Sequence, residues 1–364
     1  VCTMPEPLKP PATDPTPIFE AFRGSYGTEL LTAAVAHFNL FGKLARGPLS
    51  HGDLAKELGL APRPAVVLLT ALRAMGLLTT GANGWLELTT LAREHLVPGD
   101  EFDIGAYVGL AAESPGVLAM VERLRTNCPP GMADNEQGVA YIYREGVRSA
   151  MDQEASARHL TLALAGRAKN VAPVLAERVP LVGARLLVDV GGGSGMYAIA
   201  YLRRFPALRA VVWDRAEVLK VARELAEQYQ VRERLVCRPG DMFVDPVPEG
   251  ADCILLSNVL HDWDVPECRK LVRRCAAALP SGGRLLIHDV FLDDAHDGPL
   301  AVALYSAALF SITEGRAYSA AEYREWLLAA GLQPQPIVPT LIHCGALEGR
   351  KTLGAFSPLP HETG

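Results

Sequence analysis

Between Ile18 and Leu44 the apolar residues Leu30, Leu31, Ala34, Val35, Phe38 and Leu40 recur three and four apart, a broad stripe that predicts a helix. Two shorter helices are expected over 49–60 and 63–78, separated by a Gly-Leu-Ala-Pro turn, and TTGANGWLELTTLAREHL (79–96) reads as a small hairpin. Helix, turn, helix and glycine-containing hairpin together compose a winged-helix-like module. Residues 101–180 carry helical spacing throughout. From Arg185 the period changes: LLVDV, RAVVWD, LVCRPGDMF, ADCILLSNVL and GGRLLIHDVF read as strands, separated by helical stretches such as AEVLKVARELAEQ and VPECRKLVRRCAAAL. That alternation predicts right-handed βαβ units and an α/β fold with a doubly wound, mostly parallel sheet.

Composition narrows the picture. The 364 residues suffice for two or three domains, and 21% charged with 49% hydrophobic residues describe an ordinary soluble chain. A net charge of −6 argues against general nucleic-acid binding, which needs basic residues to neutralise phosphates. The seven cysteines, Cys2, Cys128, Cys237, Cys253, Cys268, Cys275 and Cys344, include no C-x-x-C pair and read as reduced thiols of a cytoplasmic protein. Residues 1–16 hold five prolines and read as a disordered or extended arm without the apolar core of a signal peptide, and no apolar run is long enough for a membrane span. The second helix of the N-terminal module offers only Arg63 and Arg73 among Val66, Val67, Leu68, Leu69, Leu72 and Leu77, so a structural or dimerising use is favoured over DNA reading.

The candidate chemistry begins at LLVDVGGGSGMYAIA, residues 186–200, where a strand runs into Gly191, Gly192 and Gly193 and then a helix. Glycine permits positive φ and close approach of a ligand to the backbone. A dinucleotide fingerprint beginning at Gly191 would need glycine at Met196, although Gly193, Gly195 and Ala198 fit its looser form, and no P-loop lysine follows Gly195. Asp189 just ahead of the glycines opposes a phosphate and suits a ligand bearing an amine.

Ligands on such sheets bind beyond the carboxyl ends of the strands, so strand-end residues matter most. Asp214 closes the second strand, where a carboxylate can accept both hydroxyls of a ribose. The third segment ends at Gly240, Asp241, Met242 and Phe243, with Asp241 able to accept from an adenine amino group and Met242 able to cover the ring. The fourth ends LLSNVLHDWDVPE, clustering Ser257, Asn258, His261, Asp262 and Trp263, and the fifth places Asp289 at the neighbouring rim. A histidine held by a carboxylate has a fixed tautomer and a stabilised imidazolium, which suits a general base.

DVGGGSG, VVWD, GDMF and NVLHDWD, in that order, resemble the class I methyltransferases that use S-adenosylmethionine. The closer resemblance is to small-molecule O-methyltransferases with an N-terminal winged-helix dimerisation domain, a group that includes caffeate-type, acetylserotonin and polyketide-tailoring enzymes. The resemblance spans about residues 18–356. It implies a Rossmann-like methyltransferase sheet behind a mainly helical module: arm 1–16, winged-helix-like dimerisation domain 17–105, helical connector and substrate lid 106–180, cofactor-binding domain 181–358. It further implies S-adenosyl-L-methionine as cofactor, a homodimer, and a small hydroxylated, aromatic substrate, with no nucleic acid or membrane as partner.

Carried onto this chain, Asp189, Gly191, Gly192 and Gly193 line the methionine portion, and Asp214 with Arg215 meets the ribose. Gly240, Asp241, Met242 and Phe243 meet adenine, and Ser257 touches the amino-acid end where relatives often have lysine. His261 matches the catalytic base and Asp289 its orienting acid. A second orienting carboxylate common in the family falls at Ala317 here and is absent, with Glu314 the other acid nearby. Substrate walls are expected from Met151, Asn258, Asp262, Phe291, Tyr305 and Phe310. No metal is expected. The alternatives are a metal-assisted C- or O-methyltransferase with His261 and Asp262 or His288 as ligands, and a ligand-sensing winged-helix regulator.

Overall fold

The computed structural model describes residues 6–128 and 154–352, so Met151, expected in the substrate pocket, lies outside the described residues. The long N-terminal stripe is not one helix. It divides into α1 (Thr16–Arg23), α2 (Ser25–Thr32), a π-helical turn at Ala33–His37 and α3 (Leu40–Leu44). The break before α3 is at Asn39, whose φ of 46° lies in the left-handed region that a polar asparagine tolerates and a helix cannot continue through. Ahead of α1 the residues from Glu6 onward have no regular structure but lie against the chain: Leu8 packs on the core and Arg203 Nε donates to the Glu6 carbonyl at 2.7 Å.

The next elements are α4 (His51–Leu58) and α5 (Pro62–Ala74), then the antiparallel pair β1 (Leu78–Thr80) and β2 (Leu86–Leu88) with Leu78 opposite Leu88. Ser50 caps α4 by accepting from the Asp53 amide, and Pro62 opens α5, where a missing N–H costs nothing. α6 (Thr90–Leu96), α7 (Gly105–Val108), α8 (Pro115–Thr126) and the 25-residue α9 (Glu154–Arg178) follow. The apolar face of α5 is covered within the chain by a later helix, Leu300–Ile312. Its Val67, Leu68, Leu69 and Leu72 are buried in one core with Val302, Ala303, Phe310, Val290 and Cys344. Of the structural or dimerising uses expected for this face, the packing within the chain is structural.

The α/β part runs β3 (Leu186–Val190), α10 (Met196–Arg204), β4 (Arg209–Asp214), α11 (Val218–Gln228), β5 (Leu235–Pro239), β6 (Cys253–Ser257), α12 (Val265–Ala278), β7 (Arg284–Leu292) and α13 (Leu300–Ile312). It ends with β8 (Tyr318–Ser319), α14 (Ala320–Ala329), β9 (Leu332–Pro334), β10 (Val338–Pro339) and β11 (Cys344–Lys351). In the sheet the order is β10-β11-β7-β6-β3-β4-β5, with β7, β6, β3, β4 and β5 parallel. β11 pairs antiparallel with β7, from Cys344 opposite Val290 to Arg350 opposite Arg284. The chain moves outward from β3 through β4 to β5, then returns to β6 on the other side. The crevice beyond the carboxyl ends of β3 and β6 is the switch point where such sheets bind ligands.

Candidate active site

At that switch point Gly191 and Gly193 have φ of 62° and 56°, a backbone that L side chains rarely adopt. Gly192 has a different reason: a Cβ there would lie 2.7 Å from the Asp189 carboxyl carbon. The turn closes over Asp189, which is fully buried with neither oxygen in a hydrogen bond of normal geometry. Burial pushes its carboxyl up to about 7, and the backbone N–H of Ala198 offsets part of that. Asp214, one strand over, fixes the turn by accepting from the Gly193 amide at 2.8 Å through Oδ2, while Oδ1 accepts from Arg215 at 2.7 Å. A buried, underbonded carboxylate beneath a side-chain-free cradle fits a cationic ligand end. Asp241 is exposed and holds its own loop by accepting from the Phe243 amide at 2.7 Å, beside a half-buried Met242. Phe243 is turned inward, edge-on to Trp263 at 4.8 Å, and does not line the loop's open face. Gly240 packs against the Trp213 indole, leaving no room for a side chain.

β6 delivers the second half. Ser257 Oγ lies 2.8 Å from His288 Nδ1, and His288 Nε2 lies 3.0 Å from Thr340 Oγ1. Both ring nitrogens of His288 are thus occupied. Burial, and then the nearby Arg167, push its pKa down to about 3, so it is a neutral structural imidazole. Asn258 takes φ 56° and joins three neighbours: its Nδ2 donates to Tyr197 Oη (3.2 Å) and Ser257 Oγ (3.0 Å), and its Oδ1 accepts from Arg167 Nη1 at 2.9 Å.

The chain then makes a short 3-10 turn, Leu260–Asp262, carrying His261. His261 Nδ1 is 2.5 Å from Asp289 Oδ1 on β7, which fixes Nδ1 as the donor and leaves Nε2 as the basic nitrogen. Asp262 Oδ1 is 3.6 Å from Nε2. Burial alone would lower the imidazole pKa, but Asp289 and then Asp262 outweigh it and the pKa is raised. Asp262 is itself pushed up to about 7, mainly by burial. The Tyr305 ring from α13 meets the imidazole edge-on at 5.8 Å. Phe291 stands edge-on to Tyr323 at 5.4 Å, on the same strand as Asp289. Phe310 does not join them. Five residues beyond Tyr305 it points about 140° away around α13, into the helical core under the Arg63 guanidinium at 4.8 Å.

Four features of the site had no signal in the sequence. Tyr323 Oη donates to Asp289 Oδ2 at 3.1 Å, so a phenol braces the carboxylate while Ala317 is buried without a polar side chain. Gly315 packs directly on the backbone of the catalytic turn: a Cβ there would collide with the His261 carbonyl and sit 2.6 Å from the Trp263 nitrogen. Arg63 donates to the carbonyls of Thr313 (2.9 Å) and Gly315 (3.1 Å), tying α5 to that contact. Two further arginines act on Tyr305: Arg23, with Cζ 3.6 Å from the ring centroid, and Arg167, whose Nη2 donates to Cys344 Sγ at 3.0 Å. Each pairing links residues far apart in sequence, and no local pattern announces it. Glu314 gives its backbone amide to the Asp262 carbonyl at 3.2 Å. Among the described residues no group of three His, Cys, Asp or Glu side chains is placed to hold a metal ion.

Residues 135–333 match the model of the O-methyltransferase domain family. The chain is 37% identical over 325 residues to the 3-hydroxy-5-methyl-1-naphthoate 3-O-methyltransferase of Streptomyces sahachiroi, covering 88% of this chain and 90% of that one. It is 30% identical to the tetracenomycin polyketide synthesis 8-O-methyl transferase of Streptomyces glaucescens, covering 87% and 91%. Among solved structures, an O-methyltransferase family 2 protein from Planctomyces limnophilus in complex with apigenin superposes with a TM-score of 0.85 at 48% identity, covering 95% and 99%. A doubly wound sheet, a glycine turn at its switch point and a carboxylate-held histidine define a methyltransferase of class I. This chain belongs to the O-methyltransferase domain family.

Proposed function

We propose that the protein transfers the methyl group of S-adenosyl-L-methionine to a hydroxyl of a small aromatic metabolite, with His261 as general base. Bound beyond β3 and β4, the cofactor supplies an electrophilic methyl group on a positively charged sulfur. The glycine turn 191–193 receives its amino-acid end above buried Asp189, Asp214 takes the ribose hydroxyls, and the Asp241–Met242 loop borders adenine. His261 Nε2 faces the acceptor. It takes the hydroxyl proton as the oxygen attacks, and Asp289 stabilises the imidazolium that forms. A phenol, with a pKa near ~10, needs such a base at neutral pH. The relatives named for naphthoate and tetracenomycin, and the apigenin complex, support an aromatic acceptor.

The observation that carries this reading is the 2.5 Å His261–Asp289 pair, which leaves Nε2 as the basic nitrogen with Asp262 Oδ1 3.6 Å away. The test is methyl transfer from labelled S-adenosylmethionine to a panel of hydroxylated aromatics, read by mass spectrometry. His261→Ala should lower kcat about 10²–10⁴-fold. A variant within threefold of wild type would remove the general-base role.

For the N-terminal part, we infer a winged-helix-type module over 17–105 that pairs with a second copy. Phe22 at 80%, and Tyr107 and Leu110 just beyond the module at 77% and 80%, stay exposed on the N-terminal helices, large apolar side chains that no described residue covers. Light scattering on the purified protein should give twice the monomer mass.

A further inference from the structure

The two arginines acting on Tyr305 are more than the proposed reaction requires. Arg23 comes from α1 and is 6% exposed. It stacks on Tyr305 and stands 5.3 Å from the Phe19 ring centroid. Arg167 comes from α9 and holds Asn258 and Cys344, while its Nε is buried without a partner among the described residues. Tyr305 and Cys344 lie in the fields of both guanidiniums. Neither arginine has a carboxylate within ion-pair distance among the described residues, although surface arginines of this chain such as Arg46 and Arg269 do. The nearest-acting acid, Asp289, is already engaged by His261, Tyr323 and the Val290 amide. Two guanidiniums drawn out of water without a counter-charge are costly, and the arrangement is sensible when a ligand brings that charge.

Building on the reading above, we propose that the methyl acceptor carries a carboxylate that seats between Arg23 and Arg167 while its hydroxyl faces His261. The planar guanidinium fork matches a carboxylate better than any other cationic side chain does. Arg23 reaches the site through Tyr305, whose other neighbour is the His261 ring. Arg23 Cζ lies 3.6 Å from the Tyr305 centroid and that ring 5.8 Å from the imidazole, so an aromatic acid lying alongside Tyr305 presents its hydroxyl to the base and its carboxylate to the guanidiniums. The carboxylate of the cofactor is the competing source for Arg167, which touches Asn258 beside the glycine turn. Arg23 stacks on Tyr305 and Phe19, neither of which belongs to that turn, and this favours the acceptor.

The experiment uses the full chain with 6-hydroxy-2-naphthoic acid, its methyl ester and 2-naphthol. It measures kcat/KM for each, and binding of each to the enzyme saturated with S-adenosylhomocysteine by calorimetry. The wild type should prefer the acid over the ester by about 10–100-fold, the worth of a charge-assisted hydrogen bond. Arg23→Gln and Arg167→Gln should each bring that ratio to within about threefold, and Arg23→Lys should restore part of it. Equal use of acid and ester by the wild type would overturn the proposal without needing any variant. So would an acid preference that survives both substitutions, or a loss of S-adenosylhomocysteine affinity equal to the loss for the acid, which would assign the arginines to the cofactor. If none of the three compounds is methylated, the panel of hydroxylated aromatics still decides the reaction, while binding of the acid no tighter than its ester overturns this proposal.

Discussion

Tyr323 Oη donates to Asp289 Oδ2 while His261 Nδ1 engages Asp289 Oδ1, so one buried carboxylate is held from both sides. The phenol comes from α14 and the imidazole from the turn after β6. Their meeting on β7 brings the helix that closes the sheet into the chemistry of the base. Tyr323→Phe would leave Oδ2 buried and short of a donor. Urea unfolding should show a loss of about 1–3 kcal/mol, and a change below about 0.5 kcal/mol would show that the brace carries no weight.

Asp289→Asn should move the pH profile in a defined direction. The base acts when neutral, so kcat/KM rises with pH as His261 loses its proton. Asp289 is the larger of the two acids raising that pKa. The amide therefore shifts the acid limb to lower pH and lowers the plateau, because the imidazolium formed in the reaction loses its counter-charge. An acid limb that stays put, or moves to higher pH, contradicts the assignment.

Asp189 predicts a stability effect. Its folded pKa of about 7 lies above the ~3.9 of an unfolded aspartate. Between those values the folded state binds the extra proton, so stability from this group is present at low pH and lost as pH rises toward 7. Relative to Asp189→Asn, the ligand-free wild type should lose stability with a slope of up to about 1.4 kcal/mol per pH unit. Denaturant melts of both proteins at pH 5 and 7 check it. His288 has the opposite sign, its depressed pKa costing stability as pH falls below about 6.5, which is why the comparison must be between variants.

Gly315→Ala should reduce kcat without touching any reacting group. The added methyl meets the His261 carbonyl and forces the catalytic turn to shift, and displacement of a base by about 1 Å can cost up to ~10²-fold. Single-turnover rates at saturating substrates would detect it, and wild-type rates would show that the turn has slack.

Much of the catalytic half was legible because its chemistry is local. Asp189 and Asp214 sit at the ends of strands, and His261 in the short turn after one, where an apolar run and the turn that follows mark the place in the sequence. β11 was missed, since Gly345, Glu348, Gly349 and Arg350 break its apolar pattern although most of the strand is buried. Phe310 was misplaced because helical spacing alone cannot say which face of α13, apolar all round, turns to the site. Nothing in the sequence around Arg23, Arg63 and Arg167 marks them as buried. Their burial depends on partners far away along the chain, such as Thr313, which lies 250 residues from Arg63. The apolar face of α5 was recognised, but its cover turned out to be α13.

That cover bears on inheritance. A single core holds Leu68 and Leu72 of α5 together with Val290 of β7 and Phe310 of α13, so the line between an N-terminal module and a catalytic one cuts through side chains that belong to both. A gene exchange that replaced the first hundred codons with those of a distant relative would break this core unless α13 travelled with them. Ancestral recombination in this lineage should therefore have kept the two ends of the chain together, so that acceptor preference and catalytic scaffold descend as one unit.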